Sequence, residues 1–276
     1  MNSARKSKVV ELAELASLIG DGSALALGGS FLHRGPFALV RELIRQGKRE
    51  LEIIKQSPGY DIDILCRTHC ANRLRAGIVA MEGNFGLAQG YRRAVENGEL
   101  KLEEHACMSL TAGLRAAAFG VPFQPVGGLF GSDIPRINGW KAIADPYGSG
   151  LEVYVIPAIA PDVCVIHVNE VDLEGNARLY GTPFWDRIMS RAAKRVLITA
   201  ERLVSGDEIR RQPELTLVPG FMVEAVAIVP HGAWPGSNHP DYEVDYDAVT
   251  RYLDDSPGAL DRHLASAPEL VQSTHV

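Results

Sequence analysis

The sequence is poor in cysteine, in long apolar runs and in surplus positive charge, and each shortage excludes a class of protein. Four cysteines in 276 residues are too few for a disulfide-stabilised scaffold, so a reducing cytoplasm is the expected location. No stretch approaches the ~20 apolar residues that span a bilayer, which predicts no membrane partner. Lys and Arg total 28 against 34 Asp and Glu, a net charge of −6. Without a basic run, nucleic acid is not an expected partner.

Strand-like and helix-like segments alternate along almost the whole chain, which is the pattern of a parallel sheet covered on both faces. We therefore predict a single α/β domain over residues 1–276, with an open, mostly parallel sheet and helices on both faces. An amphipathic helix is expected near residues 9–19, and another should begin at Pro36 and end at Gly47. The strands are predicted at residues 24–27, 51–55, 75–81, 101–105, 151–156, 163–168, 195–200 and 224–229.

Two segments show little periodicity. Residues 125–150 are rich in glycine and proline, and we predict a long active-site loop there that crosses the carboxyl ends of the strands. Residues 256–276, which begin with Ser-Pro-Gly, are expected to form a weakly specified C-terminal tail.

The segment ALALGGSFLHRGP, residues 24–36, is the most informative local pattern. An apolar strand runs into Gly28 and Gly29, which can adopt positive φ and allow close approach to the backbone, and a helix with unpaired N–H groups follows. These features are typical of a small-molecule site on an α/β sheet. A tight strand-to-helix turn with an exposed Arg34 explains the same residues, and local chemistry leaves both open.

Two further clusters contain chemically active side chains. Glu103, Glu104 and His105 end a predicted strand, where only one of two neighbouring glutamates can face an interior cleft. Burial would raise the pKa of that carboxyl toward the range useful for proton transfer, although a solvated acidic turn is the alternative. The residues of the second cluster are Cys66, His69 and Cys70. They fall short of the four ligands of a structural zinc, so no metal is predicted.

Four separated segments together resemble one protein family: GGSFLHRGP (28–36), GVPFQP (120–125), PDVCVIHVNEVDLEGNARLYG (161–181) and SGDEIRRQP (205–213). They resemble the alpha subunit of type I coenzyme A transferases of the glutaconate kind, from about residue 22 to about residue 247. The resemblance implies the open α/β sheet shared with ribose-phosphate isomerases. It also implies a beta subunit of similar fold in an α2β2 assembly, an acyl-CoA thioester as substrate and no permanently bound cofactor.

The resemblance places the nucleophilic glutamate of the reaction in the beta subunit. In that family this glutamate lies in an ENG tripeptide, and the ENG of this chain, which begins at Glu96, closes a predicted helix at Gly98. This chain is therefore expected to be inactive alone. The implied activity moves CoA between a dicarboxylic or β-keto acyl group and a carboxylate acceptor.

The resemblance also assigns site residues. Gly28 and Gly29 would direct backbone N–H groups at the acyl group, and Arg34 would bind a substrate carboxylate through both arms of its guanidinium. Four further residues match segments that line the same cleft in relatives. They are Asn84, Gly131, Ser132 and Asp133.

Two alternatives stay open within the same resemblance, and one lies outside it. Some relatives hydrolyse a ring carbon–carbon bond of a cyclic β-keto acyl-CoA in steroid degradation with a carboxylate of the alpha subunit, and Glu104 matches that position. Another branch decarboxylates an acyl-CoA on the same scaffold. The third alternative is a non-catalytic ligand-binding protein, because the sequence shows no self-sufficient nucleophile.

Overall fold

The computed structural model describes residues 7–272, and expectations that fall on residues 1–6 and 273–276 lie outside it. None of the helices in the described part is long and apolar enough to cross a membrane. The strands are β1 (Ala24–Leu27), β2 (Leu51–Ile54), β3 (Ala71–Ala76), β4 (Lys101–Glu104), β5 (Phe123–Val126), β6 (Lys141–Ala144), β7 (Glu152–Pro157), β8 (Val163–Val171), β9 (Ala177–Arg178), β10 (Arg195–Leu203), β11 (Thr216–Val218) and β12 (Val223–Ile228).

The helices connect these strands, and short 3-10 turns lie at Pro213–Leu215 and Gly220–Met222. The α-helices are α1 (Leu12–Ser17), α2 (Phe37–Arg45), α3 (Tyr60–Arg67), α4 (Glu82–Phe85), α5 (Gln89–Glu96), α6 (Cys107–Ala118), α7 (Ile134–Asn138), α8 (Asp186–Ala192), α9 (Gly206–Arg211), α10 (Tyr246–Tyr252), α11 (Ala259–Ala265) and α12 (Pro268–Gln272).

The main sheet is parallel through its centre, in the order β12-β10-β8-β1-β2-β3-β4. Strand β9 pairs antiparallel with the carboxyl end of β8, at Glu170 and Val171, and β11 pairs antiparallel with β9. Because β1 lies between β8 and β2, the chain leaves β1 to build one half of the sheet and later returns to build the other. Parallel sheets of this kind bind ligands outside the carboxyl ends of the strands near such a reversal.

Alternation along the strands divides the core into two layers. Leu25 and Leu27 of β1 face a cluster with α1, α2, α3 and α5, whereas Ala26 faces a second cluster with α6 and α8. All nine residues of β8 are buried, as expected for a strand covered on both faces. The predicted fold class, an open and mostly parallel sheet between two helical layers, is confirmed.

Two of the predicted strands differ from the structure. The third strand is β3, at Ala71–Ala76 rather than residues 75–81, because its charged Arg73 and Arg75 alternate with Leu74 and mask the apolar pattern. The apolar residues after Ala76 enter a loop instead. Strand β7 also leaves the main sheet and pairs antiparallel with β5 and β6 in a separate three-stranded sheet.

The predicted long loop over residues 125–150 contains regular secondary structure. This segment contains the end of β5, the short helix α7 and strand β6. Every residue of β6 is exposed, so neither burial nor hydrophobic alternation marks it in the sequence. The small sheet packs beside the end of β4, where His105 lies 5.0 Å from Trp140 between ring centroids.

The predicted weakly specified tail contains helices α11 and α12 in its described part, up to residue 272. Helices α10 and α11 pack against the core through Tyr252 and Leu260. In α12, Glu269 accepts hydrogen bonds at 2.6 and 2.7 Å from the fully buried Arg41. Because a buried guanidinium needs a paired anion, this contact fixes α12 against α2.

Candidate active site

The backbone amides of Gly28 and Gly29 donate hydrogen bonds within the chain. The Gly28 N–H donates to Val165 O at 2.8 Å, and the Gly29 N–H donates to a carboxylate oxygen of Asp186 at 3.1 Å. Both donors are therefore engaged within the chain. In this structure they tie β1 to β8 and to the first residue of α8, so the predicted approach of these N–H groups to an acyl group stays a prediction.

The glycines are required by packing instead. Gly29 adopts φ +75°, and a Cβ on it would lie 2.4 Å from His33 O. A Cβ on Gly28 would lie 3.2 Å from both the Asp186 carboxylate and Ile166 Cα. Any side chain at Gly29 would thus push apart the turn that follows β1.

Arg34 differs from the expected free guanidinium fork. Its side chain is 4% exposed and forms an ion pair at 2.5 Å with the fully buried Asp186. It also donates to the carbonyls of His167 at 2.9 Å and Thr182 at 3.1 Å, and it lies over the Phe184 ring. Asp186 and two carbonyls hold the Nη1 and Nη2 ends of the guanidinium, so in this conformation Arg34 braces the loop.

An open cavity of about 700 Å³ lies on the other side of the same loop. It is formed where the chain leaves β1 and β3, at the carboxyl edge of the sheet, with one wall from the segment before α8. Its apolar wall contains Phe31, Ile78, Ala80, Leu87 and Phe184. Size, position and lining are those of a small-molecule site, which is usually concave and largely apolar.

The backbone around this cavity is strained. Phe31 has φ +46°, Glu82 has φ +65° and Phe184 has φ +42°, and all three residues line the cavity. Left-handed conformations cost about 1–3 kcal/mol each for residues other than glycine, and they concentrate at functional sites. Their convergence from three separate chain segments supports a function for the cavity.

A short polar chain runs along the cavity wall. His33 Nε2 lies 2.9 Å from a Glu82 carboxylate oxygen, and His33 Nδ1 lies 2.7 Å from Ser237 Oγ. The side chain of His33 is 44% exposed. Sequence reasoning missed His33 and Glu82, and the available signal was their position in the same glycine-containing loops as Arg34 and Asn84.

Glu103 and Glu104 end β4 on opposite faces. Glu103 contacts His105 at 3.1 Å and Arg73 at 2.6 Å. The His105 hydrogen bond, helped by the charges of Arg75 and Arg73, lowers the pKa of the Glu103 carboxyl to about 2. A raised pKa is therefore wrong for Glu103. Glu104 is exposed at the carboxyl edge of the sheet and lies outside the cavity wall.

The remaining predicted site residues fall into two places. Asn84 is exposed in α4, next to Gly83 of the cavity wall. Gly131, Ser132 and Asp133 form an exposed turn before α7. That helix is joined to β4, because its Asn138 side chain donates to the Glu104 carbonyl at 2.7 Å. The structure thus places Asn84 beside a residue of the cavity wall, and it joins the helix that follows the 131–133 turn to Glu104.

His167 and the cluster of Cys66, His69 and Cys70 lie outside the cavity wall. His167 is fully buried, with ring nitrogens 2.9 Å from Thr199 Oγ1 and 2.7 Å from Glu201, so it is a core histidine. Cys66 is buried, whereas the His69 side chain is 73% exposed. Within residues 7–272, no group of three or more His, Cys, Asp or Glu side chains is placed to hold a metal.

Comparison with known proteins identifies the family of this scaffold. The family model described as coenzyme A transferase matches residues 9–228. An uncharacterised protein of Archaeoglobus fulgidus is 36% identical over 87% of this chain, and the chain spans 54% of that relative's length. The A subunit of glutaconate CoA-transferase from Acidaminococcus fermentans is 31% identical, over 90% of this chain and 85% of its own.

Solved structures agree with the sequence comparison. The crystal structure of the Acidaminococcus fermentans enzyme superposes with a TM-score of 0.84, over 89% of this chain and 83% of that one. The decarboxylase AibA/AibB gives 0.85 at 33% identity, over 96% of this chain and 99% of that one. The chain therefore belongs to the coenzyme A transferase family of enzymes, among its alpha subunits.

Proposed function

We propose that this chain is the alpha subunit of a heteromeric transferase that moves CoA from an acyl-CoA thioester to a carboxylate acceptor. The proposed nucleophile is a glutamate of a second subunit of similar fold, in an α2β2 assembly. The observation that carries the proposal is an open cavity at the carboxyl edge of the sheet. Glu82, the one carboxylate among the described residues of its wall, is paired with His33.

The ENG glutamate of this chain supports a nucleophile from elsewhere. Glu96 is the last residue of α5 and its carboxylate contacts Arg92 at 2.8 Å. It is exposed and lies outside the cavity wall. Gly98 follows with φ +74°, which is the left-handed conformation common after helix ends. The tripeptide here ends a helix, as the sequence predicts.

The proposed chemistry divides one exchange into easier covalent steps. The partner's glutamate attacks the thioester carbonyl and forms an acyl-glutamyl anhydride, and CoA leaves as the thiolate. The thiolate then attacks the glutamyl carbonyl and releases the acyl carboxylate. The acceptor carboxylate attacks the resulting glutamyl-CoA thioester, displaces the CoA thiolate and forms a second anhydride. The thiolate then attacks the acceptor's carbonyl in this anhydride and gives the new acyl-CoA and the free glutamate. This chain would bind and orient the acyl group in the cavity.

Trapping the covalent intermediate tests the division of roles. The assembly is purified through a tag on this chain, incubated with acyl-CoA and reduced with borohydride, which converts a glutamyl thioester to an alcohol. We expect mass spectrometry to find the reduced glutamate in the partner, and this chain alone to give no exchange. A reduced glutamate in this chain, or exchange without a partner, would contradict the proposal.

Hydrolysis of a cyclic β-keto acyl-CoA is the second candidate, because Glu104 is exposed at the carboxyl edge, where a general base could act. Glu104→Gln separates the two reactions. In a transferase, exchange persists within a few fold, whereas in a hydrolase the release of a ring-opened acid falls by at least ~100-fold. Glu99→Gln, also at an exposed glutamate, is the matched control. Release of CO₂ from the thioester would instead indicate the decarboxylase activity of AibA/AibB.

A further inference from the structure

The cavity wall contains unusually exposed apolar side chains. Ile78 is 51% exposed and Leu87 is 53% exposed, and with Phe31 and Phe184 they form its apolar surface. Contiguous exposed apolar surface of this kind marks a binding site. The wall therefore favours an apolar occupant.

The volume of the cavity indicates a large occupant. At about 700 Å³ it lies in the range of sites that enclose ligands of roughly 300–1,000 Å³. A five-carbon dicarboxylic acyl group would fill a minor part of this space and leave most of the apolar wall in contact with water. A ring system or a branched chain would cover it.

The charges at the cavity oppose a second carboxylate on the acyl group. Arg34 is already paired with Asp186 at 2.5 Å. His33, the one basic residue in the described part of the cavity wall, already lies 2.9 Å from Glu82. A distal carboxylate would meet the Glu82 charge without a free cation among these wall residues, and an unpaired anion at an apolar surface is strongly disfavoured.

We infer that the cavity selects a bulky apolar acyl group, cyclic or branched, and discriminates against dicarboxylic acyl groups. This inference rests on the proposed function, because it assigns the acyl part of the thioester to this cavity. It concerns selectivity alone. The identity of the nucleophile and the order of the covalent steps do not depend on it.

Competition between thioesters tests the selectivity in the assembly purified through a tag on this chain. We expect kcat/KM for cyclohexanecarbonyl-CoA to exceed that for glutaryl-CoA by roughly 100-fold, since one has apolar contacts and the other an unpaired charge. Leu87→Arg introduces a cation at an exposed position of the wall. It should shift the ratio toward glutaryl-CoA by about tenfold or more.

Leu173→Arg is the matched control, because Leu173 is 51% exposed and lies outside the cavity wall. It should leave the ratio unchanged. A wild-type preference for glutaryl-CoA would overturn the inference and leave the proposed function standing, whereas an assembly that exchanges neither thioester nor any other would contradict the proposed function. Loss of the partner on Leu87→Arg, but not on Leu173→Arg, would show that the wall is an interface with the partner and also overturn the inference.

Discussion

The loop after β1 has two sides with opposite properties. Its closed side consists of Gly28, Gly29 and Arg34 with Asp186, where both glycine N–H groups and the two terminal nitrogens of Arg34 have partners within the chain. Its open side consists of Phe31, His33, Glu82 and Phe184, which line a cavity of about 700 Å³. The residues that look most reactive in the sequence lie on the closed side, and the cavity wall is built from less conspicuous neighbours.

The hydrogen bonds on the closed side explain how the fold holds the strained backbone of the cavity wall. Phe31 can hold φ +46° because its N–H donates to Ser57 O at 2.7 Å and the closed side fixes both ends of the turn. Strained residues persist only where the surrounding structure determines their conformation. The closed side is therefore expected to control stability, and the open side to control substrate selection.

The largest expected effect comes from breaking the closed side at Asp186. Asp186→Asn leaves the buried Arg34 guanidinium without its anion, which should lower the free energy of unfolding by about 3–5 kcal/mol. Urea denaturation monitored by circular dichroism measures the loss. The double variant Arg34→Met with Asp186→Asn should be more stable than Asp186→Asn alone, because no unpaired charge remains.

A matched exposed pair provides the control for Asp186. Asp207 contacts Arg210 at 2.5 Å, but the two side chains are 79% and 69% exposed. Asp207→Asn should change the free energy of unfolding by less than about 1 kcal/mol, because exposed ion pairs contribute little. Equal effects of the two substitutions would mean that the closed side is not a buried brace.

The second effect separates close packing from positive φ. Gly29 and Gly22 have φ +75° and +71°, but a Cβ would lie 2.4 Å from His33 O at Gly29 and near no atom within 4 Å at Gly22. We expect Gly22→Ala to cost about 1 kcal/mol and Gly29→Ala at least about 3 kcal/mol, since overpacking adds to the strain. Denaturation midpoints of both variants measure the difference. Similar costs would show that the turn relaxes around a methyl group.

The sequence predicted the buried half of the molecule well and its edges poorly. Strand β1 and the first four residues of β8 are apolar on both faces, and α2 has apolar residues at helical spacing, so local pattern suffices for them. Strand β3 has one charged face, and β6 is exposed along its length. Their positions are set by pairing with distant strands, which no local pattern contains.

The sequence marks the loop that borders the cavity, but it does not show which contacts the side chains of that loop make. The GG-x-x-x-x-R pattern marks the loop, yet the partner of Gly29 and Arg34 is Asp186, more than 150 residues away in the sequence. A pattern cannot show that an arginine is already paired. Nor could it show that the backbone strain of Phe31, Glu82 and Phe184 converges on one cavity.

The smallest expected effect tests whether the C-terminal helices unfold together with the core. His263 of α11 is 4% exposed, stacks on Trp234 and lies 2.7 Å from the Tyr60 hydroxyl. Burial, assisted by the charge of Arg41, lowers the pKa of His263 from 6.5 to about 3. The unfolded chain therefore binds more protons between these values, and stability is lost as the pH falls below about 6.5.

From pH 7 to pH 5 this histidine should cost roughly 2 kcal/mol of unfolding free energy. Urea denaturation at both pH values, on wild type and His263→Gln, measures it: the variant should show a smaller loss because glutamine does not titrate. His69→Gln is the control, because the His69 side chain is 73% exposed. This variant should show the same dependence of stability on pH as the wild type. The Glu269 carboxylate becomes protonated below this range of pH 7 to pH 5. Burial alone would raise its pKa, but the hydrogen bond and the charge of Arg41 lower the pKa of Glu269. An identical dependence of stability on pH for wild type and His263→Gln would mean that α11 unfolds before the core does. The C-terminal helices would then not unfold together with the core.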